Sequence, residues 1–177
     1  MGDYEIIQVG FKRLSDDAII PTKAHPSDSG YDLCAAEDVI IKPGETEVIP
    51  TGIAVKLPPG YEAQVRPRSG VTSRTKLRIQ LGTIDQDYRG EIGVIVDNTF
   101  MKPWAEILYG VDGKPIHDKN VDYPKITGSY IIRKGDRIAQ LVIQQLTAVE
   151  AYEVEGDLEE TERGEGGFGS SGVREVD

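Results

Sequence analysis

The wide spread of glycine and proline limits what this chain can fold into more than any other sequence feature. Twenty glycines and ten prolines are distributed over 177 residues, so regular elements have to be short. The segments between them are rich in Val, Ile, Thr and Tyr, which favour strands. The predicted strands are Glu5–Phe11, Asp38–Ile41, Thr46–Ile49, Gly52–Lys56, Tyr61–Val65, Ile92–Asn98 and Ile138–Ile143.

Turn sequences and strand spacing indicate the fold class. Asp112-Gly113 and Lys134-Gly135-Asp136 are typical of tight turns. Strands that recur every 8 to 12 residues or so predict an all-β sandwich or barrel rather than a repeat of strands and helices. The only helix we predict is short, begins at Ser69 or Val71 and runs toward Lys76.

Charge and cysteine content exclude several classes of function. Thirty acidic and twenty basic residues give a net charge of −10, which disfavours a nucleic-acid polymer or an anionic membrane as partner. The single cysteine, Cys34, can form neither an intrachain disulfide nor a thiolate zinc cluster. No apolar run approaches the roughly 18 residues of a membrane span, and no signal peptide is recognisable. We expect a cytoplasmic protein with no membrane partner.

Two segments differ from the strand-rich remainder. Residues 100–128 contain the only tryptophan and lack sustained alternation, which predicts a long loop inserted in a β domain of residues 1–149. Such a loop is either functional or an ordinary surface insertion. Residues 150–177 are predicted to form an acidic linker followed by a flexible, glycine-rich C-terminal arm.

The arm and two inner segments contain residues suited to phosphate chemistry. Arg163–Gly172 combines an arginine, a phenylalanine and two serines with five glycines, which suits a nucleotide clamp, although a plain linker is the alternative. Ser69 follows Arg68 at the predicted helix start and is either an N-cap or a phosphate contact.

Carboxylates supply the other candidates. Asp85 and Asp87 lie on one face if the segment is extended, or belong to a turn. Asp32 serves a hydrated cation or a turn, and neither His25 nor His117 is assigned a role.

Five segments in a fixed order resemble the motifs of trimeric dUTPases. They are Asp28–Leu33, Pro67–Gly70, Gly82–Gly90, Gly135–Leu141 and Arg163–Gly172. The resemblance covers nearly the whole chain except residues 100–128, which resemble the insertion of temperate-phage dUTPases.

The resemblance implies a jelly-roll β-barrel, assembled as a homotrimer whose C-terminal arm reaches a neighbouring subunit. It implies hydrolysis of dUTP to dUMP and pyrophosphate with Mg²⁺, by in-line attack of water on the α-phosphorus, which limits uracil incorporation into DNA and supplies dUMP for dTTP synthesis. Asp85 would be the catalytic base, and Asp32 would hold Mg²⁺ through water. The implied substrate-binding residues are Arg68, Ser69, Gly70, Gly82, Ile84, Tyr88, Gln140, Arg163, Gly167, Phe168, Gly169, Ser170 and Ser171.

The sequence departs from the dUTPase pattern at a few positions, and two other functions compete with dUTP hydrolysis. Thr83 and Ile79 differ from common family residues, and uracil recognition is therefore expected to rest on backbone groups. Val71-Thr72 also differs and is expected to change helix packing more than chemistry. The related dCTP deaminases share the jelly roll and handle triphosphates. Alternatively, or in addition, exposed aromatic residues of the 100–128 insertion, namely Trp104, Tyr109 and Tyr123, would dock a repressor-type regulatory protein.

Overall fold

The computed structural model describes residues 6–101, 107–116 and 128–166. Strands dominate this part of the chain, and its one helix is short. The elements are β1 (Gly10–Arg13), β2 (Gly30–Cys34), β3 (Val39–Ile41), β4 (Thr46–Pro50), β5 (Ile53–Lys56), β6 (Tyr61–Pro67), α1 (Ser69–Arg74), β7 (Leu77–Ile79), β8 (Gly82–Ile84), β9 (Gly93–Asn98), β10 (Leu108–Gly110), β11 (Ser129–Ile132) and β12 (Arg137–Gln145). The all-β prediction is confirmed.

The strands form small sheets that are mostly antiparallel. The largest has the order β2-β12-β6-β8, and two three-stranded sheets have the orders β4-β9-β7 and β10-β11-β3, while β1 pairs with β5. Most neighbours are distant in sequence, as when β12 lies between β2 and β6. The largest sheet therefore brings together four of the five sequence motifs, which lie far apart along the chain.

Alternating burial in the largest sheet defines its inner and outer faces. Ala63 and Val65 of β6 are buried, and so is Leu141 of β12, which lies directly opposite Val65. Because successive side chains of a strand point to opposite faces, Arg66 and its cross-strand partner Gln140 lie on the other face. The inner face packs in the core, and the outer face is available for polar chemistry.

The first predicted strand is wrong in position. Gly10–Arg13 forms β1 instead of Glu5–Phe11, and Glu5 lies outside the described residues. The pairing partner explains the shift, because β5 ends at Lys56, opposite Gly10, and is soon followed by Pro58-Pro59. Proline has no backbone N–H to donate to a strand ladder, so the pairing has no continuation toward Ile6.

The 100–128 segment, which is predicted to be a loop, contains a strand. Its residues Leu108–Gly110 form β10, which runs parallel to β11. The Tyr109 ring is half-buried rather than exposed, with its centroid 5.6 Å from that of Tyr130. Sequence alternation gave no sign of this pairing because the strand has only three residues. Trp104 and Tyr123 lie outside the described residues.

Two compact units are distinguishable, Met1–Thr147 and Ala148–Asp177. The predicted division after residue 149 stays a prediction. Within the described ranges, no helix has the length and apolar character needed to cross a bilayer.

Candidate active site

Asp32 of β2 is the centre of a charged cluster on the outer face of the largest sheet. Its Oδ1 lies 3.1 Å from Nε of Arg68, and its Oδ2 accepts a hydrogen bond of 3.2 Å from an Nη of Arg137. Arg68 in turn donates to the Arg137 carbonyl oxygen over 3.0 Å. The Asp32 side chain is only 17% exposed, so one carboxylate fixes two guanidinium groups at the protein surface.

Gln140 lies beside Asp32 because the two residues are cross-strand partners in β12 and β2. The Gln140 amide nitrogen donates to the Pro67 carbonyl oxygen over 2.9 Å. Gly30 makes room for this side chain, because a Cβ at Gly30 would lie 2.7 Å from the Gln140 Oε1. Sheet register thus places Gln140 next to the segment that carries Arg68 and Ser69.

Ser69 is the first residue of α1 and does not cap it. The N-cap is Arg68, which has extended backbone angles and makes no side-chain capping hydrogen bond. Its carbonyl oxygen accepts from the backbone N–H groups of Val71 and Thr72, each over 3.1 Å. The N-cap alternative for Ser69 is therefore wrong. Its exposed hydroxyl makes no hydrogen bond within the described residues and remains available to a ligand.

A cavity of about 410 Å³ opens beside these residues. Three arginines contribute to its wall, and two of them, Arg74 and Arg137, are not among the site residues predicted from the sequence. Arg137 lies in the quoted motif Gly135–Leu141, which was the available signal, whereas nothing in the sequence pointed to Arg74. The lining residues are Arg68, Ser69, Gly70, Val71, Arg74, Val111, Asp112 and Arg137.

Asp85 lies in a turn directly after β8. The Tyr88 N–H donates to the Asp85 carbonyl oxygen over 3.0 Å, so the extended arrangement of Asp85 and Asp87 is wrong and the turn alternative is correct. The Tyr88 hydroxyl donates to the Glu91 carbonyl oxygen over 2.9 Å, and its ring lies against Gly90. Asp85 is exposed, as is Tyr88.

The two remaining predicted contacts in this region belong to β8. Ile84 is buried in the core, so its side chain faces away from any surface ligand, and only its backbone could serve one. Gly82 is half-buried opposite Val65, and an added Cβ would lie 3.4 Å from the Val65 Cβ.

Asp85 and the arginine cluster occupy opposite ends of β6. Ile84 pairs with Ala63, and the strands are antiparallel, so Asp85 extends away from Pro67 while Arg68 continues beyond it. The offset of six residues along the strand corresponds to about 20 Å. A catalytic base acts within hydrogen-bond reach of its proton or through one water. Hence one copy of the chain does not bring Asp85 and Arg68 to the same phosphate.

The chain matches the sequence profile of the family described as dUTPase over residues 16–103 and 126–172. The chain belongs to the dUTPase family. This match, with the all-β structure, establishes the jelly-roll fold that the family resemblance implied. The profile leaves residues 104–125 unmatched, and these lie within the segment 100–128 that is predicted to be an insertion.

Relatives of this dUTPase include bacterial and phage proteins. The deoxyuridine 5'-triphosphate nucleotidohydrolase of Gloeothece citriformis is 42% identical over 163 residues, which are 91% of this chain and 94% of that protein. The solved dUTPase of Staphylococcus bacteriophage 80alpha with dUPNHPP has a TM-score of 0.86 and 41% identity, and covers 94% of this chain and 99% of its own. The phage phi11 dUTPase, solved for its species-specific insert, has a TM-score of 0.79 and 34% identity over 85% of this chain and 98% of its own.

Cys34 of this dUTPase is not suited to act as a nucleophile. It is buried opposite Arg137. Burial raises the pKa of the thiol above its ordinary value, and the nearby Asp32 carboxylate raises it further. Reactive cysteines have a lowered thiol pKa, so Cys34 remains a neutral thiol.

Direct protein ligation of a metal finds no support in the described ranges, where no group of three or more His, Cys, Asp or Glu residues is placed to hold an ion. Mg²⁺ usually keeps several waters and binds through one or two carboxylates together with substrate phosphates. A single partly exposed carboxylate such as Asp32 fits this mode through water.

The C-terminal unit contains the last candidates. The Arg163 Nε donates to the Gly166 carbonyl oxygen over 2.9 Å, and the side chain is exposed. Gly167, Phe168, Gly169, Ser170 and Ser171 lie outside the described residues.

Proposed function

We propose that this dUTPase-family chain hydrolyses dUTP to dUMP and pyrophosphate. The observation that carries the proposal is the cavity in which Arg68, Arg74 and Arg137 surround the exposed Ser69. Guanidinium groups bind phosphate oxygens through paired N–H donors. The names of the relatives, deoxyuridine 5'-triphosphate nucleotidohydrolases, supply the nucleobase and the reaction.

The phosphate chain is assigned to the outer face of the β2-β12-β6 part of the sheet. Ser69 donates its hydroxyl to a phosphate oxygen, and the Gly70 backbone lies close because no side chain intervenes. Arg68 contacts phosphate while Asp32 fixes its orientation. The Gln140 amide faces the bridging oxygen from the neighbouring strand. These contacts position the substrate and neutralise charge, which is most of what phosphoryl-transfer catalysis requires.

Asp85 acts as the base that activates the attacking water. It accepts a proton from water as the water oxygen bonds to the α-phosphorus, and the bond from that phosphorus to the α,β-bridging oxygen breaks. The products are dUMP and pyrophosphate. The Tyr88 ring packs against the deoxyribose, where a ribose 2'-hydroxyl would collide, and backbone groups of Gly82 and Ile84 face the uracil.

A homotrimer resolves the separation of about 20 Å between Asp85 and Arg68 along β6. Each site combines Asp32, Arg68 and Gln140 of one copy with the Asp85 turn of a second. The C-terminal arm of a further copy closes over the substrate, with Arg163 on the γ-phosphate, Phe168 over the uracil and Gly167–Ser171 around the phosphates. Such closure excludes bulk water from the reaction.

Mg²⁺ is the cofactor assigned to the substrate phosphates, and Asp32 would hold its hydration shell. When bound, the ion supplies charge neutralisation at the phosphate oxygens. The reaction is assigned to the cytoplasm, which is the host cytoplasm if the chain is phage-encoded. Its role is to limit uracil in DNA and to supply dUMP for dTTP synthesis.

Pyrophosphate release is the test of substrate and base. Wild type, Asp85→Asn and Asp87→Asn are compared with dUTP, dTTP, dCTP and UTP in the presence of Mg²⁺. Asp87 is the matched control because it is an exposed carboxylate of the same turn. We expect release from dUTP alone, a loss of at least about 10²-fold in Asp85→Asn, and retention in Asp87→Asn. Ammonia release from dCTP without pyrophosphate would instead identify a deaminase.

Mixing inactive variants tests whether the site is shared. Asp85→Asn and Arg68→Gln are each expected to be inactive, but trimers formed by co-expression contain some sites with an intact residue from each partner. Recovered activity supports the shared site. Activity that never exceeds that of the two parents, in mixed trimers verified by mass spectrometry, would place both residues in one chain's site.

A second candidate function is docking of a repressor-type regulatory protein through the 100–128 insertion, with or without catalysis. It is supported by the unmatched residues 104–125 and by a related phage dUTPase described as controlling transfer of virulence genes by a G protein-like mechanism. Replacement of 117–127 by a short Gly-Ser linker, which keeps β10, should abolish binding of a purified repressor-type protein and leave dUTP hydrolysis intact. Unchanged binding would contradict this docking site.

A further inference from the structure

Asp112 places a negative charge in the wall of the arginine-lined cavity. The cavity is formed by Arg68, Arg74 and Arg137 together with the first turn of α1, and Asp112 lies in the same wall. Asp112 also lies outside the ranges that match the dUTPase profile. A residue of the insertion therefore faces the phosphate site, where a carboxylate repels the ligand that the arginines attract.

The turn that carries Asp112 packs closely against the end of α1. Gly113 has a left-handed backbone with φ of 74°, and a Cβ there would overlap the Arg74 carbonyl oxygen. The Asp112 Oδ1 accepts from the Lys114 N–H over 3.0 Å, and Oδ2 lies 3.3 Å from the Lys114 ammonium. The Asp112 side chain is 46% exposed, and its two contacts with Lys114 orient the carboxylate at the cavity wall.

The three arginines of the cavity differ in whether a carboxylate of the protein pairs with them. Arg68 and Arg137 are both paired with Asp32. Arg74 has no carboxylate within ion-pair distance in the described part of the chain. The hydrogen bond from the Lys114 N–H is the main reason that the pKa of Asp112 lies below its ordinary value, so the carboxylate is ionised at neutral pH.

We propose that Asp112 limits how tightly the cavity retains polyphosphate anions, so that pyrophosphate leaves instead of occupying the site. The assignment of pyrophosphate as the product rests on the proposed function. The repulsion between the Asp112 carboxylate and a bound anion does not depend on the proposed function, because it acts on any polyphosphate in the cavity. The insertion thereby contributes directly to the binding energetics of this site.

Calorimetric titration of inorganic pyrophosphate into the assembled protein, without nucleotide, tests this role. Asp112→Asn keeps the size and the acceptor for the Lys114 N–H but removes the charge. We expect its Kd for pyrophosphate to be about three- to tenfold lower than that of wild type at low salt. The difference should shrink as ionic strength rises because screening weakens it. In dUTP hydrolysis, the same variant should be inhibited at correspondingly lower pyrophosphate concentrations.

Two further variants separate charge from shape. Asp112→Glu keeps the charge and should bind pyrophosphate like wild type. Asp16→Asn changes the net charge equally at an exposed position that makes no hydrogen bond or ion pair within the described residues, and it should leave the Kd unchanged. Equal affinity of Asp112→Asn and wild type, or equal tightening in Asp112→Glu or Asp16→Asn, would overturn the proposal.

The two failures are distinguishable. If the protein does not hydrolyse dUTP but Asp112→Asn alone binds pyrophosphate more tightly, the proposed function is refuted and the electrostatic role of Asp112 stands. If the protein hydrolyses dUTP but all variants have the same Kd for pyrophosphate, the proposed function stands and the role of Asp112 is refuted.

Discussion

Gly90 fixes the position of the Tyr88 ring, and an added methyl group is expected to displace it. A Cβ at Gly90 would lie 2.6 Å from the Tyr88 Cζ and 3.0 Å from Cε2. Carbon atoms in favourable contact are about 3.5–4.0 Å apart, so the ring has to move by about 1 Å in Gly90→Ala. The backbone of Gly90 is not left-handed, so the effect of the substitution is steric.

The displacement predicts a change in substrate discrimination. A 1 Å misplacement of a positioning group costs up to about 10²-fold in rate, so kcat/KM for dUTP should fall by roughly 10- to 100-fold. The ratio of kcat/KM for dUTP to that for UTP should fall as well, because the ring is the proposed barrier to a ribose 2'-hydroxyl. The loss of the hydrogen bond from Tyr88 to Glu91 would cost only about 1 kcal/mol of stability.

Pyrophosphate release from dUTP and UTP provides the assay, with thermal unfolding as a check of folding. Gly10→Ala is the matched control, because its Cβ would meet only the Lys56 Cβ at an ordinary 3.5 Å. Tyr88→Phe keeps the ring and removes only the hydroxyl, so discrimination should persist. If folded Gly90→Ala protein has the wild-type kcat/KM for dUTP and the wild-type ratio of dUTP to UTP, the role of the Tyr88 ring in discrimination is refuted.

Three further substitutions test the scaffold. Leu141→Ala removes a fully buried side chain of β12 and should lower the free energy of unfolding by roughly 3 kcal/mol in urea titrations. A Cβ in Gly30→Ala would lie 2.7 Å from the Gln140 Oε1 and 2.9 Å from the Gln140 Cβ, so Gln140 has to move, and both kcat for dUTP and Tm should fall. An unchanged kcat in the folded variant would argue against a role for Gln140. Burial raises the pKa of Asp136 above its ordinary 3.8, so the folded chain holds this proton to higher pH than the unfolded one. The contribution of Asp136 to the free energy of unfolding should therefore fall as pH rises from about 4, and Asp136→Asn should remove this contribution.

The sequence predicted the strands in which the alternation of buried and exposed residues extends over enough positions to be recognised. Tyr61–Pro67 and Arg137–Gln145 are long strands with one buried face, and both were anticipated in part. The strands Leu77–Ile79 and Gly82–Ile84 have three residues each and were missed, since three residues carry almost no periodic signal. The strand Gly30–Cys34 was missed because its glycine and aspartate are typical of turns.

Single motifs predicted individual candidate residues, whereas the contacts between residues of different motifs come from the fold. Asp32 and Arg68 were proposed separately, but their ion pair depends on the order β2-β12-β6, which no local pattern encodes. Arg74 and Asp112 meet at one cavity only because the turn at Gly113 packs on α1. Contacts of this kind are set by tertiary packing, so composition and spacing cannot supply them.

Asp32 explains how a chain of net charge −10 can present an ordered cationic site. An isolated arginine side chain loses rotamer freedom when it binds a ligand, whereas Arg68 and Arg137 are already held by one carboxylate. Asp32→Asn and Asp112→Asn each remove one negative charge from the site, which favours binding of pyrophosphate. Only Asp32→Asn releases Arg68, so it should also lower kcat for dUTP by at least about tenfold, while Asp112→Asn keeps kcat when pyrophosphate is removed enzymatically. Equal kcat in the two variants would mean that Asp32 contributes charge alone and does not position Arg68.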